Sequence, residues 1–147
     1  MLIEIEGTYK GYKFLVVAQD MGHRCGYVRI PEKHRLYGKD YSYKVMIDGK
    51  RAPISDYFDV HGGLTFSDKI SETEAGKVKK IEGWWLGFDC EHFGDAKDKD
   101  IMSEEYKKIF SKSSVMFEGE IRTANYVKKE CFSLIDQIEK LTKTYNW

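Results

Sequence analysis

The feature that most constrains the fold is a single amphipathic helix predicted at the end of the chain. Apolar residues recur there at intervals of mostly three and four, namely Val127, Cys131, Leu134, Ile135, Ile138 and Leu141. This spacing places them on one stripe of a helix, and such a stripe needs an apolar surface to cover it. Thr123 is a suitable N-cap, so we expect a helix over about residues 123–143.

The rest of the chain has mainly the pattern of short β-strands separated by glycine and polar turns. Candidate strands cover residues 2–5, 12–19, 25–30, 44–47, 51–54, 64–66 and 84–90. Asp48-Gly49 predicts a tight hairpin turn between two of them. A shorter helix is predicted near residues 103–110. In contrast, Ser67–Glu82 is polar and predicts an exposed connector, and Asp95–Asp100 predicts a solvated run of charges.

A series of strands followed by helices is typical of an α+β fold. We therefore predict an antiparallel sheet over residues 2–90, with the C-terminal amphipathic helix packed on one face. The chain has 147 residues and shows no repeat, low-complexity tract or linker. Residues 1–147 are therefore expected to form a single domain.

Composition disfavours several classes of function. Lys plus Arg equal Asp plus Glu at 24 each, whereas a protein that coats long nucleic acid usually carries a basic surplus. No stretch of 18 apolar residues occurs, so no membrane-spanning helix is expected. Met1–Glu6 lacks a signal pattern, and Cys25, Cys90 and Cys131 stand far apart. We therefore expect a cytoplasmic protein with three reduced thiols.

Four segments concentrate the reactive side chains. They are residues 22–27 (GHRCGY), 59–65 (DVHGGLT), 87–95 (GFDCEHFGD) and 122–131 (RTANYVKKEC). His23, His61 and His92 lie in the first three segments, each beside glycine or acidic residues. Because unpartnered polar groups near strand ends are costly, these segments form the candidate site.

The acids and histidines of these segments suit two kinds of chemistry. His61 is a candidate general base beside Gly62-Gly63, although a loop histidine bonded to a backbone carbonyl is weighed about equally. Asp89, His92 and Asp95 recur every three residues and could converge on a divalent ion. No HExxH or CxxC pattern accompanies them, so a surface hydrogen-bond network is the favoured alternative.

A cysteine offers another kind of chemistry, because Cys25 shares a strand face with His23. A Cys–His nucleophile pair is conceivable there, but a cysteine is more often a small buried hydrophobe. If the chain is a hydrolase, the candidate catalytic residues are His23, His61, Asp89 and His92.

A second set of residues is suited to an anionic ligand. Arg122 directly precedes the predicted helix N-terminus, where free backbone N–H groups attract anions, and Asn125 and Tyr126 follow in the first turn. Arg24 and Arg35 could join Arg122 if the early loops fold over the same edge. Three solvated arginines are the alternative, and no Walker or Rossmann glycine pattern is present.

Glycine, threonine and aromatic residues complete the predicted binding site. Gly62-Gly63 and Thr65 could let a phosphate approach the backbone. The ring of Trp85 or of Phe88 could stack on a nucleobase if it is exposed. Packing in the core is the more common fate of such rings, so this prediction depends on which strand face is covered.

The same motifs carry a resemblance to a known family. GHRCGYV, HGGLTF, GWWLGFDCEHFGD and TANYVKKECFSLIDQI resemble sequences of a family of small proteins from Firmicutes phages and prophages. The resemblance covers Tyr9 to Leu141, and the hairpin at Lys44–Ile54 looks like an insertion relative to that family. A phage origin implies a role in the host cytoplasm during infection.

The resemblance implies, by analogy with small phage anti-defence proteins, a protein that binds and sequesters a nucleotide immune signal. The signal would be a cyclic nucleotide or an ADP-ribose derivative, as in CBASS and Thoeris systems. Because a chain this short would build a closed pocket most readily at a symmetric interface, we expect a homodimer or a higher homo-oligomer. Two alternatives stay open: a small phosphodiesterase that degrades such a signal, and a protein–protein inhibitor of a host defence enzyme. No cofactor is expected, and a divalent ion at Asp89, His92 and Asp95 is the weaker alternative.

Overall fold

The computed structural model describes residues 1–74, 76–113 and 115–147. Its strands and helices are, in chain order, β1 (Leu2–Tyr9), β2 (Tyr12–Ala18), β3 (Arg24–Ile30), β4 (Lys44–Ile47), β5 (Lys50–Pro53), β6 (Phe66–Glu74), β7 (Lys77–Asp89), β8 (Asp95–Ala96), α1 (Glu104–Phe110), β9 (Glu120–Ile121) and α2 (Ala124–Tyr145). Five strands form one antiparallel sheet in the order β1-β2-β3-β7-β6. The predicted α+β fold is confirmed.

Helix α2 covers one face of this sheet. Its N-cap is Thr123, whose hydroxyl accepts the backbone N–H of Tyr126, and its C-cap is Asn146 in the left-handed conformation. The buried stripe consists of Val127, Cys131, Leu134, Ile135 and Ile138. These side chains share one core cluster with Val16 and Val28 of the sheet. The predicted helix is confirmed, with ends within two residues of those expected.

The predicted hairpin and the predicted short helix are also confirmed. Strands β4 and β5 pair antiparallel around Asp48 and Gly49, which both have positive φ (50° and 77°), as a tight hairpin turn requires. Helix α1 begins after Ser103, whose hydroxyl accepts the backbone N–H of Tyr106. No helix among the described residues is both long and apolar enough to span a membrane.

The expectation of a connector over Ser67–Glu82 was wrong, although the expected exposure holds for many of these residues, among them Ser71 and 77–80. Most of these residues belong to the hairpin of β6 and β7, and Ile70 is buried against the sheet. Polar residues form strands here because the partner strand satisfies their backbone groups and because opposite charges face each other, as at Glu72 and Lys79. The predicted strand at 64–66 likewise begins only at Phe66.

The expectation of a solvated charge run over Asp95–Asp100 was also wrong. The side chains of Asp95, Lys97 and Asp98 are largely buried. Each buried charge has an opposite partner, which is the nearby Glu91 for Lys97 but a residue from a distant part of the chain for Asp95 and for Asp98. Such partners offset the cost of removing a charge from water, and an alternating acid–base pattern cannot reveal them.

All three cysteines are buried and free of disulfide bonds. Burial raises the pKa of the Cys25 thiol, and it raises the pKa of Cys90 and of Cys131 to about 12. We therefore expect all three thiols to react with a thiol reagent in unfolded protein without reductant and to react slowly in native protein at pH 8. A titration that finds a single reactive thiol after unfolding would contradict the expected reduced state.

Removal of a buried leucine from α2 should be costly. Leu134→Ala is expected to lower the free energy of unfolding by about 2–5 kcal/mol, because it deletes a fully buried side chain between helix and sheet. Leu2→Ala makes the same chemical change at an exposed position and should cost less than about 0.5 kcal/mol. Urea unfolding of the two variants measures the difference, and equal losses would contradict the proposed packing of α2.

Candidate functional site

The carboxylate of Asp95 is the centre of the candidate site. Its side chain is only 2% exposed. Oδ2 lies 2.8 Å from His61 Nε2 and accepts the backbone N–H of His92 at 3.1 Å, while Oδ1 accepts Arg122 Nε at 2.9 Å. Burial alone would raise the pKa of Asp95, but the hydrogen bonds from His61, Arg122 and the His92 amide outweigh it and lower the pKa. Three of the four predicted segments therefore meet at one ionised carboxylate.

His61 is held from its other side by helix α2. Its Nδ1 lies 2.8 Å from the hydroxyl of Tyr126, which donates to Glu130 Oε1 at 3.3 Å. Burial, followed by the charge of Glu130, raises the pKa of Tyr126, so the hydroxyl keeps its proton at neutral pH. Tyr126, predicted as a ligand-binding residue, thus orients His61.

His92 is the most open member of the cluster, with its side chain 38% exposed. Its Nδ1 lies 3.5 Å from Asp89 Oδ1 and 3.8 Å from Asp95 Oδ2. Asp89 Oδ2 in turn accepts the hydroxyl of Thr65 at 3.0 Å. Thr65, predicted to bind a ligand, therefore supports the carboxylate beside His92.

The glycine after His61 makes room for the ring of His92. Gly62 has a φ of +69°, and a Cβ there would lie 2.6 Å from His92 Nδ1 and 2.7 Å from Nε2. Those distances are shorter than real side-chain contacts allow, so a side chain at Gly62 would displace the ring. Gly63 has a φ of +80°, but a Cβ at that position would meet nothing within 4 Å. Both positions therefore need a residue that adopts positive φ, but only at Gly62 is there also no space for a side chain.

One ligand atom from each of His61, His92 and Asp95 lies within 4.8 Å of the other two. Two imidazoles and one carboxylate in this arrangement are a possible metal-binding triad. The sequence predicted a metal set of Asp89, His92 and Asp95, so two of its members are present. His61 takes the third place, and Asp89 lies beside His92 instead.

Two of the three arginines predicted as anion clamps, Arg24 and Arg122, are engaged by carboxylates. Arg35 does not join them, because it lies beside the C-terminal end of helix α2. Arg122 donates to Asp95 and, through Nη1, to Glu120 Oε2 at 3.0 Å. Arg24 is buried and donates to Glu4 Oε1 at 2.7 Å and to Asp98 Oδ2 at 2.9 Å. Apart from Glu120, these acids are 20 or more residues from the arginine that they bind, so no local pattern indicated them.

Arg24 nevertheless contributes to the site, because its Nη1 also lies 3.2 Å from the backbone carbonyl oxygen of Arg122 and donates to it. That bond fixes the segment just before α2. Asn125, the other residue predicted to bind an anion there, is exposed. The first free N–H groups of α2 are partly used by the N-cap, since Thr123 accepts the amide of Tyr126.

The predicted aromatic platform is also corrected. Trp85 is 2% exposed and Phe88 is 1% exposed. Trp85 belongs to the smaller core cluster with Leu15 and Val17, and Phe88 lies in the main cluster with the residues of α2. Because strand β7 is covered on both faces, neither ring offers a free face to a base.

His23 belongs to a separate group of charges. Its Nε2 lies 3.5 Å from Glu91 Oε2, and its Nδ1 lies 3.4 Å from Lys97 Nζ. Burial, more than the charge of Lys97, lowers the pKa of His23. Lys97 donates to Glu91 Oε1 at 2.6 Å, so the ammonium is neutralised.

His23 and Cys25 do not form the nucleophile pair that the sequence made conceivable. Cys25 is buried in the smaller core cluster, where its sulfur accepts a hydrogen bond from Gln19 Nε2 at 3.8 Å. His23 faces Glu91 and Lys97 instead. The segment at 22–27 therefore borders the site without supplying a member of the triad.

No protein-family model, curated protein or solved structure matches the chain. The resemblance to a phage and prophage family therefore stays a prediction. The function of the chain is therefore inferred from the geometry of the site.

Gly62→Ala should damage the site more than Gly63→Ala. Both variants place an alanine at positive φ and should lose about 1 kcal/mol of stability through backbone strain. Gly62→Ala should lose more, because its methyl group overlaps the ring of His92. Urea unfolding measures the stabilities, and the NMR shift of the His92 ring protons reports its displacement. If both variants have equal stability and an unchanged His92 resonance, the close approach described here is wrong.

Proposed function

We propose that His61, His92 and Asp95 bind one divalent transition-metal ion and that the bound ion activates water to hydrolyse a phosphodiester. The observation that carries this proposal is the convergence of two imidazoles and a buried carboxylate from two separate segments. This donor set suits Zn²⁺ and other first-row ions, whereas Ca²⁺ and Mg²⁺ prefer oxygen ligands alone.

The spacing of the donor atoms supports a single ion. His61 Nε2 and His92 Nδ1 lie 2.8 Å and 3.8 Å from Asp95 Oδ2. A tetrahedral ion with bonds of about 2.1 Å keeps its ligand atoms about 3.4 Å apart. The two nitrogens therefore lie on either side of the separation from Asp95 Oδ2 that a single ion requires.

The outer hydrogen bonds support the same ligand atoms. Tyr126 donates its hydroxyl proton to Glu130 in a hydrogen bond, so its oxygen is free to accept a hydrogen bond from the N–H of His61 Nδ1. With Nδ1 protonated, Nε2 is the nitrogen available to the metal, and the ion would replace the proton that Nε2 donates to Oδ2 of Asp95 when no ion is bound. Arg122 holds the other carboxylate oxygen, and such outer partners fix ligand orientation in known metal sites.

The charges around the triad favour a cation over a free anion. The cluster contains the carboxylate of Asp95, and three further carboxylates lie close to it, namely those of Asp89, Glu120 and Glu130. The nearest arginine, Arg122, already pairs with two of them. A phosphate would gain little here without a metal ion, because opposing carboxylates would repel it. Direct clamping of a nucleotide by arginines is therefore less well supported at this site than metal-assisted hydrolysis.

The site has room for water and for a substrate. Three protein ligands leave a fourth position open, as in catalytic zinc sites. His92 and Asp95 also line a groove of about 510 Å³, whose walls include the exposed apolar side chains of Phe93, Val115 and Met116. A groove of this volume is within the usual range for a small-molecule site.

We assign the role of general base to Asp89. It lies beside His92 and outside the triad, and its orientation is held by Thr65. The ion would supply a water molecule of lowered pKa as the nucleophile, and Asp89 would accept the proton of that water as its oxygen attacks phosphorus. Asp89 would then give the proton to the leaving oxygen as the bond between that oxygen and phosphorus breaks. The phosphodiester class and the nucleotide signal follow from the analogy that the family resemblance suggests, whereas the homo-oligomer follows from the small size of the chain; all three stay predictions.

Metal binding tests the first half of the proposal. Wild-type protein should bind one Zn²⁺ per chain and give a cobalt absorption spectrum typical of mixed nitrogen and oxygen ligands. Loss of an outer partner costs about 10–100-fold in metal affinity, so His61→Ala or His92→Ala should cost about 100-fold or more. His23→Ala is the matched control and should bind metal like wild type, because His23 lies in a different cluster. Equal affinity in all three variants would refute the site.

Turnover tests the second half. The zinc-loaded protein should hydrolyse bis(p-nitrophenyl) phosphate, and Asp89→Asn should lower kcat by about 100-fold while metal affinity changes only a few-fold. Incubation with cyclic dinucleotides, followed by denaturation and chromatography, separates hydrolysis from sequestration. New peaks support the proposal. Intact ligand, bound and then released, would support sequestration and overturn the hydrolytic role.

A further inference from the structure

A basic and aromatic groove lies at the opposite end of helix α2 from the triad. It has a volume of about 490 Å³, and its lining consists of Lys33, Arg35, Lys39, Tyr43, Tyr145, Asn146 and Trp147. Helix α2 has 22 residues and is therefore about 33 Å long. The groove contacts its C-terminal end, whereas the triad is held by Tyr126 near its N-terminal end. The two sites are therefore separate.

The groove carries a local surplus of positive charge. It is lined by three cationic side chains, and no carboxylate side chain is among its lining residues within the described chain. Lys33, Arg35 and Lys39 form no salt bridge with any carboxylate of the described ranges. The chain as a whole has a formal net charge of zero. Any attraction of anions to the groove therefore comes from these local cations and not from the overall charge of the protein.

Aromatic rings border the same groove and are held in place. Tyr43 is 39% exposed, and Lys39 Nζ lies 4.7 Å from the centre of its ring. The ring of Tyr145 lies 5.8 Å from that of Trp147, and its hydroxyl donates to Asp48 Oδ1 at 2.6 Å. The backbone N–H of Trp147 donates to the carbonyl oxygen of Thr142. The rings therefore have fixed positions beside the cations.

We propose that this groove binds a nucleoside phosphate, independently of the metal site. Arg35 has a planar guanidinium group that matches the oxygens of a phosphate. Lys33 and Lys39 line the same groove and add positive charge. The aromatic rim supplies faces and edges on which a base can stack. The volume suits one nucleotide and is too small for several bases of a strand.

Calorimetric titration with ADP, in excess EDTA to keep metals out of the triad, tests the proposal. Wild-type protein should bind one ADP per chain. Arg35→Gln should weaken binding about tenfold or more, because it removes a charge-assisted hydrogen bond. Arg51→Gln is the matched control, since Arg51 is exposed on β5 outside the groove, and it should bind ADP like wild type. His92→Ala should also bind ADP normally, which separates this result from the fate of the metal site.

Three outcomes would overturn the proposal. Equal weakening by Arg35→Gln and Arg51→Gln would mean that charge alone, spread over the surface, attracts the ligand. Inorganic phosphate that binds as tightly as ADP would mean that the base and sugar contribute nothing. An affinity for single-stranded oligonucleotides that rises with their length, well above that for ADP, would assign the surface to nucleic acid instead.

Discussion

The ionised carboxylate of Asp95 is the interaction on which the candidate site depends. A buried charge is costly unless hydrogen bonds and opposite charges surround it. Asp95 obtains them from His61, the amide of His92 and Arg122, which belong to three different segments. Asp95 therefore holds these three segments together, because each segment supplies one of its hydrogen-bond donors. The loss of any one partner would leave an incompletely paired charge and loosen the other two.

The fold places these partners through two larger constraints. The apolar stripe of α2 fixes the helix on the sheet, which sets the position of Tyr126 behind His61. Arg24 in strand β3 donates to the carbonyl of Arg122 and so connects the sheet to the start of the helix. The same helix carries its last residues to the basic groove at its other end. Two candidate sites with opposite charge preferences are thus held at the two ends of one helix.

Local patterns predicted most of the fold and part of the site. The helix, the Asp48-Gly49 turn and most strands follow from short-range hydrophobic spacing and turn chemistry. The Ser67–Glu82 strands and the buried charges at Asp95–Asp100 do not, because their stability comes from partners that only the tertiary fold supplies. The crowding of His61 and His92 beside glycines indicated the site. The carboxylate partners of Arg24 could not be predicted, since Glu4 and Asp98 are 20 and 74 residues away.

The central claim is that the groups gathered around Asp95 hold a metal ion. Anomalous diffraction from crystals grown with Zn²⁺, collected on both sides of the zinc absorption edge, tests it most directly. The account predicts one strong peak about 2.0–2.2 Å from a nitrogen of His61, a nitrogen of His92 and an oxygen of Asp95. Zinc peaks confined to other carboxylates or histidines, with none at this triad, would contradict it.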